Sequence, residues 1–380
     1  MTRSSDIIVI GAGIHGLSCA FHLACEKRAV TILEKDVVGQ HASSVNAGGL
    51  RTLLRDIPEI PLSLESQKRW ENLDQILGSK LAKPAKVTTN VGQIGIAVEA
   101  SEMEWCKSRA NETKRLGYDY EEIIDRKELD KLIDNLSSEC LGGIIARKDG
   151  HASPANATQA YRSAASAAGV RIHERVVIDR ITRKDQQWIV HTDDGAFEAP
   201  VVVNCSGAWG HKVAESVGDR LPIECQALSM MVTKRVGFNI TPVVIGIDQP
   251  LSFKQTDIGT LVIGGGIPAK PEPDLSTSKP YAERLIESAK TLTRFFPSFS
   301  DVQIVRTWSG LEGFTPDRMP IIGPSTDAEN FWHVCGFSAH GFQLAPETGF
   351  RVARSIVNNQ VDNLIAPFTP SRFQIIKKVS

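Results

Sequence analysis

The first forty residues alternate between short apolar runs and a helical stretch. Ile7-Ile-Val-Ile10, opened by Asp6, is unbroken and β-branched, which predicts a strand buried on both faces, as in a parallel sheet. Leu17 to Lys27 has helical composition, and Val30 to Leu33 is a second β-branched run. Strand, helix and strand in that order predict a βαβ unit. Further on, Val201-Val-Val-Asn204 reads as another buried strand, ending in the turn Cys205-Ser206-Gly207-Ala-Trp209. Ser153-Pro154 starts a helix, with a cap residue and a proline in the first turn ahead of the alanine-rich Ala155 to Ala168. Arg171 to Ile181 is the strand that follows. Between these blocks the pattern changes. Glu99 to Gly117 and Asp125 to Leu136 look like surface helices, while Gln226 to Thr233, Pro250 to Lys254 and Thr260 to Gly264 look like strands separated by turn residues. Pro268 to Pro280 reads as a linker, and no internal repeat is visible.

Composition narrows the class without naming it. The 380 residues suggest two or three domains, and 42% hydrophobic with 23% charged residues is ordinary for a globular protein. A formal net charge of -1 gives no electrostatic reason to expect nucleic acid or an anionic membrane. Seven scattered cysteines without a C-x-x-C pair read as reduced thiols, and no metal ligand set is expected. No run approaches the roughly 18 apolar residues of a membrane span. These features lead to the expectation of a cytoplasmic protein with no membrane span.

The chemistry starts in the βαβ unit. Gly11-Ala-Gly13-Ile-His-Gly16 lies between the first strand and the helix, and Glu34 ends the second strand. In this context G-x-G-x-x-G is a dinucleotide fingerprint. Gly11 permits the tight turn, Gly13 lets backbone approach a pyrophosphate, and Gly16 lets helix pack on strand. The helix N-terminus offers free amides to phosphate. Glu34 can accept from ribose hydroxyls and repels a 2′-phosphate. The fingerprint alone does not separate NAD from FAD.

Four later segments bear on that choice: the small polar loop Gly39-Gln-His-Ala42-Ser43-Ser44-Val-Asn-Ala47-Gly48-Gly49-Leu50-Arg51, the Val201–Trp209 strand and turn, Trp308-Ser-Gly-Leu-Glu312-Gly313-Phe-Thr315-Pro-Asp317, and Cys335-Gly-Phe-Ser-Ala-His340-Gly341-Phe342-Gln343-Leu-Ala-Pro346-Glu-Thr-Gly349, which leads into a C-terminal helix. With the fingerprint, they resemble the D-amino-acid oxidase-like family of FAD-dependent oxidoreductases, from Asp6 to about Ile356. The resemblance implies an α/β fold. An FAD-binding Rossmann-like domain of glutathione-reductase type would comprise 1–80, 141–222 and 312–380. An α+β, antiparallel-sheet substrate domain would comprise 81–140 and 223–311. It implies FAD contacts at Gly11, Gly13, Ile14, His15, Gly16, Glu34 and Lys35, and along the loop at Ala42, Ser43, Ser44, Ala47, Gly48, Gly49 and Leu50. Ile178 would meet the adenine. Cys205, Ser206, Gly207, Trp209, Gly313, Gly341, Phe342 and Gln343 complete the set. The implied reaction is hydride transfer to flavin N5 from the carbon bearing nitrogen, giving an imine that hydrolyses.

Departures from the family matter as much. An arginine that pairs the substrate carboxylate in glycine-oxidase-like members is Glu312 here, and a second falls at about Ala339. The cysteine that holds FAD covalently in monomeric sarcosine oxidase is Gly310, so non-covalent FAD is expected. That enzyme's G-H-G-F-K lysine is Gln343. The catalytic candidates are therefore His340, Gln343, Arg51 and Lys254, with Arg51 or Lys254 replacing the carboxylate clamp. The motif combination is most similar to the β-type FAD subunits of heteromeric sarcosine oxidases, hydroxyproline dehydrogenases and opine (octopine or nopaline) oxidases. This implies an amino-acid-like, mostly secondary amine substrate and partner subunits carrying FMN and an iron–sulfur cluster. A stand-alone D-amino-acid or glycine-type oxidase, and a non-catalytic FAD-binding scaffold subunit, remain as alternatives.

Overall fold

The computed structural model describes residues 2–237 and 239–373. The last seven residues of the expected third FAD-binding segment, and Met1, lie outside them.

The apolar runs assemble a six-stranded sheet in the order Ile321–Pro324, Phe331–Cys335, Val201–Asn204, Ile7–Ile10, Val30–Glu34, Arg171–Glu174. All neighbours are parallel except the first pair. Alternation sends successive side chains of one strand to opposite faces. Ile7 and Val9 pack with Leu17 and Ala20 of the helix Ile14–Cys25, whereas Ile8 and Ile10 join Trp188, Val190 and Phe197. Those three residues belong to a four-stranded sheet covering the second face. Helices Pro154–Ala167 and Gly341–Asn358 flank Ile14–Cys25 on the first face. Each of the two central strands ends in a turn, at Gly11 and at Cys205. The chain runs outward from Ile7–Ile10 to one side and returns with Val201–Asn204 on the other, which opens a crevice beyond their carboxyl ends.

A ten-stranded sheet stands opposite. Its spine is the long antiparallel pair Glu224–Arg235 and Ile304–Phe314, with Glu312 opposite Gln226. Thr260–Gly264, Ser252–Gln255 and Val243–Gly246 extend it to Gln93–Ala97, Gly142–Ala146 and Glu122–Asp125. Strand Gly142–Ala146 lies in this sheet, so the sheet reaches past residue 140. Helix Ala100–Arg115 opens with a capping box formed by Glu99 and Glu102, and Asp125 caps Arg126–Leu132 by accepting from the Glu128 amide at 2.8 Å.

Three expectations change. Pro268–Pro280 is a hairpin rather than a linker, with strands Pro268–Glu272 and Thr277–Pro280. Its prolines are accommodated because it forms the sheet edge and pairs inward at only two positions. The single strand expected over Arg171–Ile181 is two, Arg171–Glu174 and Ile178–Lys184, in different sheets. Arg175, at φ +60°, turns the chain between them. The C-terminal helix begins at Gly341, inside the motif expected to precede it. Gly349 is required there because a Cβ would collide with Ser18 of the crossing helix.

Candidate functional site

A cavity of about 630 Å³ lies between the two sheets and follows the crevice. It is large for a single small substrate and falls within the range of ligand and cofactor sites. Its floor is the fingerprint. Gly11 has φ +103°, and a Cβ there would meet the Cys205 carbonyl oxygen at 2.5 Å. Only glycine suits both demands. Gly16 does not line the cavity; it lies against Gly11, where a Cβ would strike the Gly11 carbonyl oxygen. The Ile14 amide is capped by Ser43 Oγ at 2.9 Å, so the polar loop closes over the helix start.

Glu34 reaches the cavity wall at 7% exposure. Its Oε2 accepts from the Ala12 amide at 2.7 Å and its Oε1 from the Asp36 amide at 2.9 Å. The carboxylate thus braces the fingerprint turn, a role absent from the ribose reading, and each oxygen keeps a further acceptor site. Lys35 stands 3.8 Å over the Trp209 ring and donates to Ser276 Oγ at 2.6 Å. Trp209 Nε1 donates to the Pro273 carbonyl at 3.3 Å, so the hairpin of the second sheet straps this end.

Of the other expected cofactor contacts, Gly13, Ile14, His15, Ala42, Ser43, Ala47, Gly48, Gly49 and Ile178 line the cavity, as do Cys205, Ser206, Gly207, Trp209, Gly313, Gly341, Phe342 and Gln343. Ser44 and Leu50 do not, and Leu50 is wholly buried in the helix-side core. His15 stacks on Phe337 with centroids 3.7 Å apart. Burial lowers its pKa to about 3, so the ring is neutral.

All four catalytic candidates reach the wall, with unequal freedom. Gln343 needs correction as a catalytic group. Its Oε1 accepts from Ser63 Oγ at 3.0 Å and its Nε2 donates to the Ser63 carbonyl at 2.9 Å, which ties the amide to helix Ile60–Glu71. Lys254 Nζ donates to the Ala152 carbonyl at 2.7 Å, and burial lowers its pKa to about 8. Arg51 Nη1 donates to the carbonyls of Leu53 and Leu54 at 2.8 and 3.2 Å. His340 Nδ1 lies 2.8 Å from Glu59 Oε2. Burial, then the nearby Arg55, lowers the pKa of His340 to about 4.

Arg55 itself was missed. It is 2% exposed, lines the cavity, and sits with Nη1 3.8 Å from Glu59 Oε2. Nη1 has no hydrogen-bond acceptor among the described residues, although Nε donates to the Arg51 carbonyl at 3.0 Å. Burial lowers its pKa to about 10, and the guanidinium keeps its charge at neutral pH. Arg51 and Arg55 lie on an irregular segment ahead of helix Ile60–Glu71, so no periodic signal in the sequence groups them with Glu59. Asp56, Glu59 and His340 also bring one ligand atom each within 4.8 Å of one another, but Arg55 already supplies positive charge there.

The fold and cavity define a protein of the dinucleotide-binding class, with its crevice roofed by a second sheet. The chain belongs to the FAD dependent oxidoreductase family, which it matches over residues 6–355. It is 27% identical to sarcosine oxidase subunit beta of Rhizobium meliloti (strain 1021), covering 97% of this chain and 88% of that one. It is 24% identical to glycine oxidase of Geobacillus kaustophilus (strain HTA426), covering 98% of both. Among solved structures, L-proline dehydrogenase from P. horikoshii superposes with a TM-score of 0.89 at 25% identity, covering 98% of this chain and 99% of that one.

The residues present fit FAD. The turn at Gly11 admits no side chain, the helix start faces the cavity, and the Glu34 carboxylate reaches the wall with acceptor capacity to spare. No helix of the described residues is long and apolar enough to cross a membrane.

Proposed function

We propose that this chain oxidises the C–N bond of a carboxylate-bearing, amino-acid-like secondary amine as the FAD-bearing subunit of a heteromeric dehydrogenase. The observation that carries the reading is Arg55, a buried guanidinium at the cavity wall with an Nη1 that lacks an acceptor. A substrate carboxylate in the cavity would pair with the charge that Arg55 and Arg51 bring to this wall. Unpaired buried donors are costly, and arginine suits carboxylates by geometry. Arg51 stands beside it and adds positive charge, while Glu59 and Asp149 offset part of both. His340 stays neutral next to this pair, which keeps it from repelling a protonated amine. The Ser43 loop, Glu34, the Ser206–Trp209 turn and the Gly341 helix start would hold the cofactor. Bound FAD would supply the hydride acceptor.

The expected FAD-binding unit (1–80, 141–222 and 312–380) and substrate unit (81–140 and 223–311) remain our division of labour, with strand Gly142–Ala146 serving the roof. The reading is tested by mixing the holoprotein without oxygen with N-methyl amino acids, hydroxyproline and opines. One of these classes should bleach the flavin, and Arg55→Ala should slow that bleaching by about thirtyfold or more at the same subsaturating concentration. A flavin that no carboxylate-bearing amine reduces defeats the proposal.

The cofactor is expected to be non-covalent. Gly310 occupies the attachment position, and a Cβ there would run into Val45. Acid precipitation should leave FAD in the supernatant; colour retained in the pellet would contradict it.

Partnership rests on the likeness to sarcosine oxidase beta subunits, and the implied FMN and iron–sulfur cluster would belong to the partners. The match to glycine oxidase over 98% of both chains supports the competing stand-alone reading. Co-expression with neighbouring gene products should raise yield and turnover with an artificial dye. A well-behaved monomer producing stoichiometric peroxide would favour the stand-alone enzyme instead.

A further inference from the structure

Arg51 and Arg55 are carried by an irregular stretch, residues 51–56, that belongs to no helix or strand. Leu54 within it has φ +55°, a left-handed conformation that leucine rarely adopts. Thr52, Leu53 and Arg55 are buried, so the stretch cannot rely on water for its backbone groups. Side chains impose its shape instead. From within, Arg51 Nη1 fastens the Leu53 and Leu54 carbonyls, and Arg55 Nε fastens the Arg51 carbonyl. From outside, the wholly buried Asp149 does most of the rest. Its Oδ1 accepts from the Thr52 amide at 2.9 Å and from Thr52 Oγ1 at 2.6 Å, and its Oδ2 accepts from the Leu53 amide at 2.9 Å. The short strand pair Gly49–Leu50 and Gly150–His151, with Leu50 opposite Gly150, delivers the carboxylate to this place. Roof residues complete the ring. Glu121 accepts from the Leu54 amide at 2.5 Å, and Arg109 donates to the Arg55 carbonyl at 2.6 Å. Glu121 shares its carboxylate with Arg109, whereas the side-chain bonds of Asp149 among the described residues all go to Thr52 and Leu53. Burial pushes the pKa of Asp149 up to about 6, opposed by the Thr52 and Leu53 donors and by Arg51, so the group is ionised at neutral pH. It does not reach the cavity wall.

We propose that Asp149 is the positioning residue of the arginine pair. By gathering the Thr52 and Leu53 donors, it holds the stretch in the conformation that presents Arg55 to a substrate carboxylate. Strained backbone persists only where its surroundings over-determine it, and binding groups must be held within about 0.5 Å of their productive place. The assignment rests on the amine-oxidation reading and adds to it a residue that substrate never touches.

The test follows anaerobic flavin reduction in the holoprotein, using whichever N-methyl amino acid, hydroxyproline or opine bleaches the flavin most readily, below saturation. Asp149→Asn keeps the volume but sets an NH₂ against donors that need an acceptor. It should lower the second-order rate constant of reduction by roughly ten- to hundredfold, the range of hydrogen bonds to a charged group, with FAD content retained. Placed in Arg55→Ala, the same change should cost less than about threefold, because residues that act through one group are not additive. A merely structural role gives the same loss in both backgrounds. Thr52→Val removes only the hydroxyl donor, and it decides the matter should Asp149→Asn fail to fold. It should cost about three- to tenfold in the unaltered protein and nothing measurable beside Arg55→Ala. Equal losses in the two backgrounds, or an unaltered rate constant in both Asp149→Asn and Thr52→Val, overturn this assignment and leave Arg55 as the carboxylate site. An Arg55→Ala protein that matches the unaltered one, or silence of the whole panel, overturns both this assignment and the reading beneath it.

Discussion

Arg55→Ala is expected to lower kcat/KM for carboxylate-bearing amines by between about thirtyfold and a few thousandfold. Truncating one partner of a buried, hydrogen-bonded charge pair costs roughly 2–5 kcal/mol, and each decade is about 1.4 kcal/mol. Two losses combine. The substrate carboxylate loses its guanidinium, and Glu59, wholly buried, loses a neighbouring cation. Burial alone would push the Glu59 carboxyl up, and His340, Arg55 and Arg51 together hold it below its ordinary value. The second loss has its own signature. Arg55 is one of the causes that lower the pKa of His340, behind burial. Its removal should therefore raise the imidazole from about 4 toward its ordinary value, and a proton resonance of His340 followed against pH would show it. Arg55→Lys keeps the charge but not the fork, so activity should recover only in part. A simple-deletion effect on folding is separated by FAD content, which should stay near stoichiometric. If kcat/KM in Arg55→Ala matches that of the unaltered protein, the carboxylate is held elsewhere, and Lys254 becomes the first residue to examine.

The βαβ unit was legible because each requirement leaves a mark in composition. Strands buried on both faces need unbroken apolar runs, and the turn at Gly11 excludes every side chain. The acid ending the second strand was visible for the same reason, but its bonds to the Ala12 and Asp36 amides were not. Those depend on how the turn folds back over the strand end. The hairpin at Pro268–Pro280 was hidden by its prolines, which discourage strand in a sheet interior and are tolerated at an edge. The helix at Gly341 was hidden by Gly341, Pro346 and Gly349, where close packing on Ser18 outweighs propensity.

The site was less legible than the fold. Gln343 was chosen by position against a lysine, yet its environment is set by Ser63, some 280 positions away in sequence. Arg55 lacks a motif of its own, and what distinguishes it is burial beside a cavity without an acceptor. Glu312 was visible only as a departure, and its bond from the Ala339 amide required both sheets to be in place.

Glu34→Ala should weaken FAD binding by at least tenfold and on the order of a hundredfold, since one hydrogen bond to a charged group contributes about 1.5–3 kcal/mol. The substitution removes the carboxylate that would accept from ribose. It also frees the Ala12 and Asp36 amides, which now reach Glu34 at 2.7 and 2.9 Å. The two effects separate experimentally. The brace exists without cofactor, so its loss should lower the melting temperature of the apoprotein. The ribose acceptor matters only in the complex, so its loss should appear as a higher Kd in a titration of apoprotein with FAD, beyond what the weaker brace explains. Glu34→Gln discriminates further. Its carboxamide keeps one acceptor oxygen for one of the two amides, so apoprotein stability should recover more than FAD affinity. An apoprotein that melts lower but binds FAD with unaltered Kd would assign Glu34 to the turn alone and leave the ribose to another acceptor.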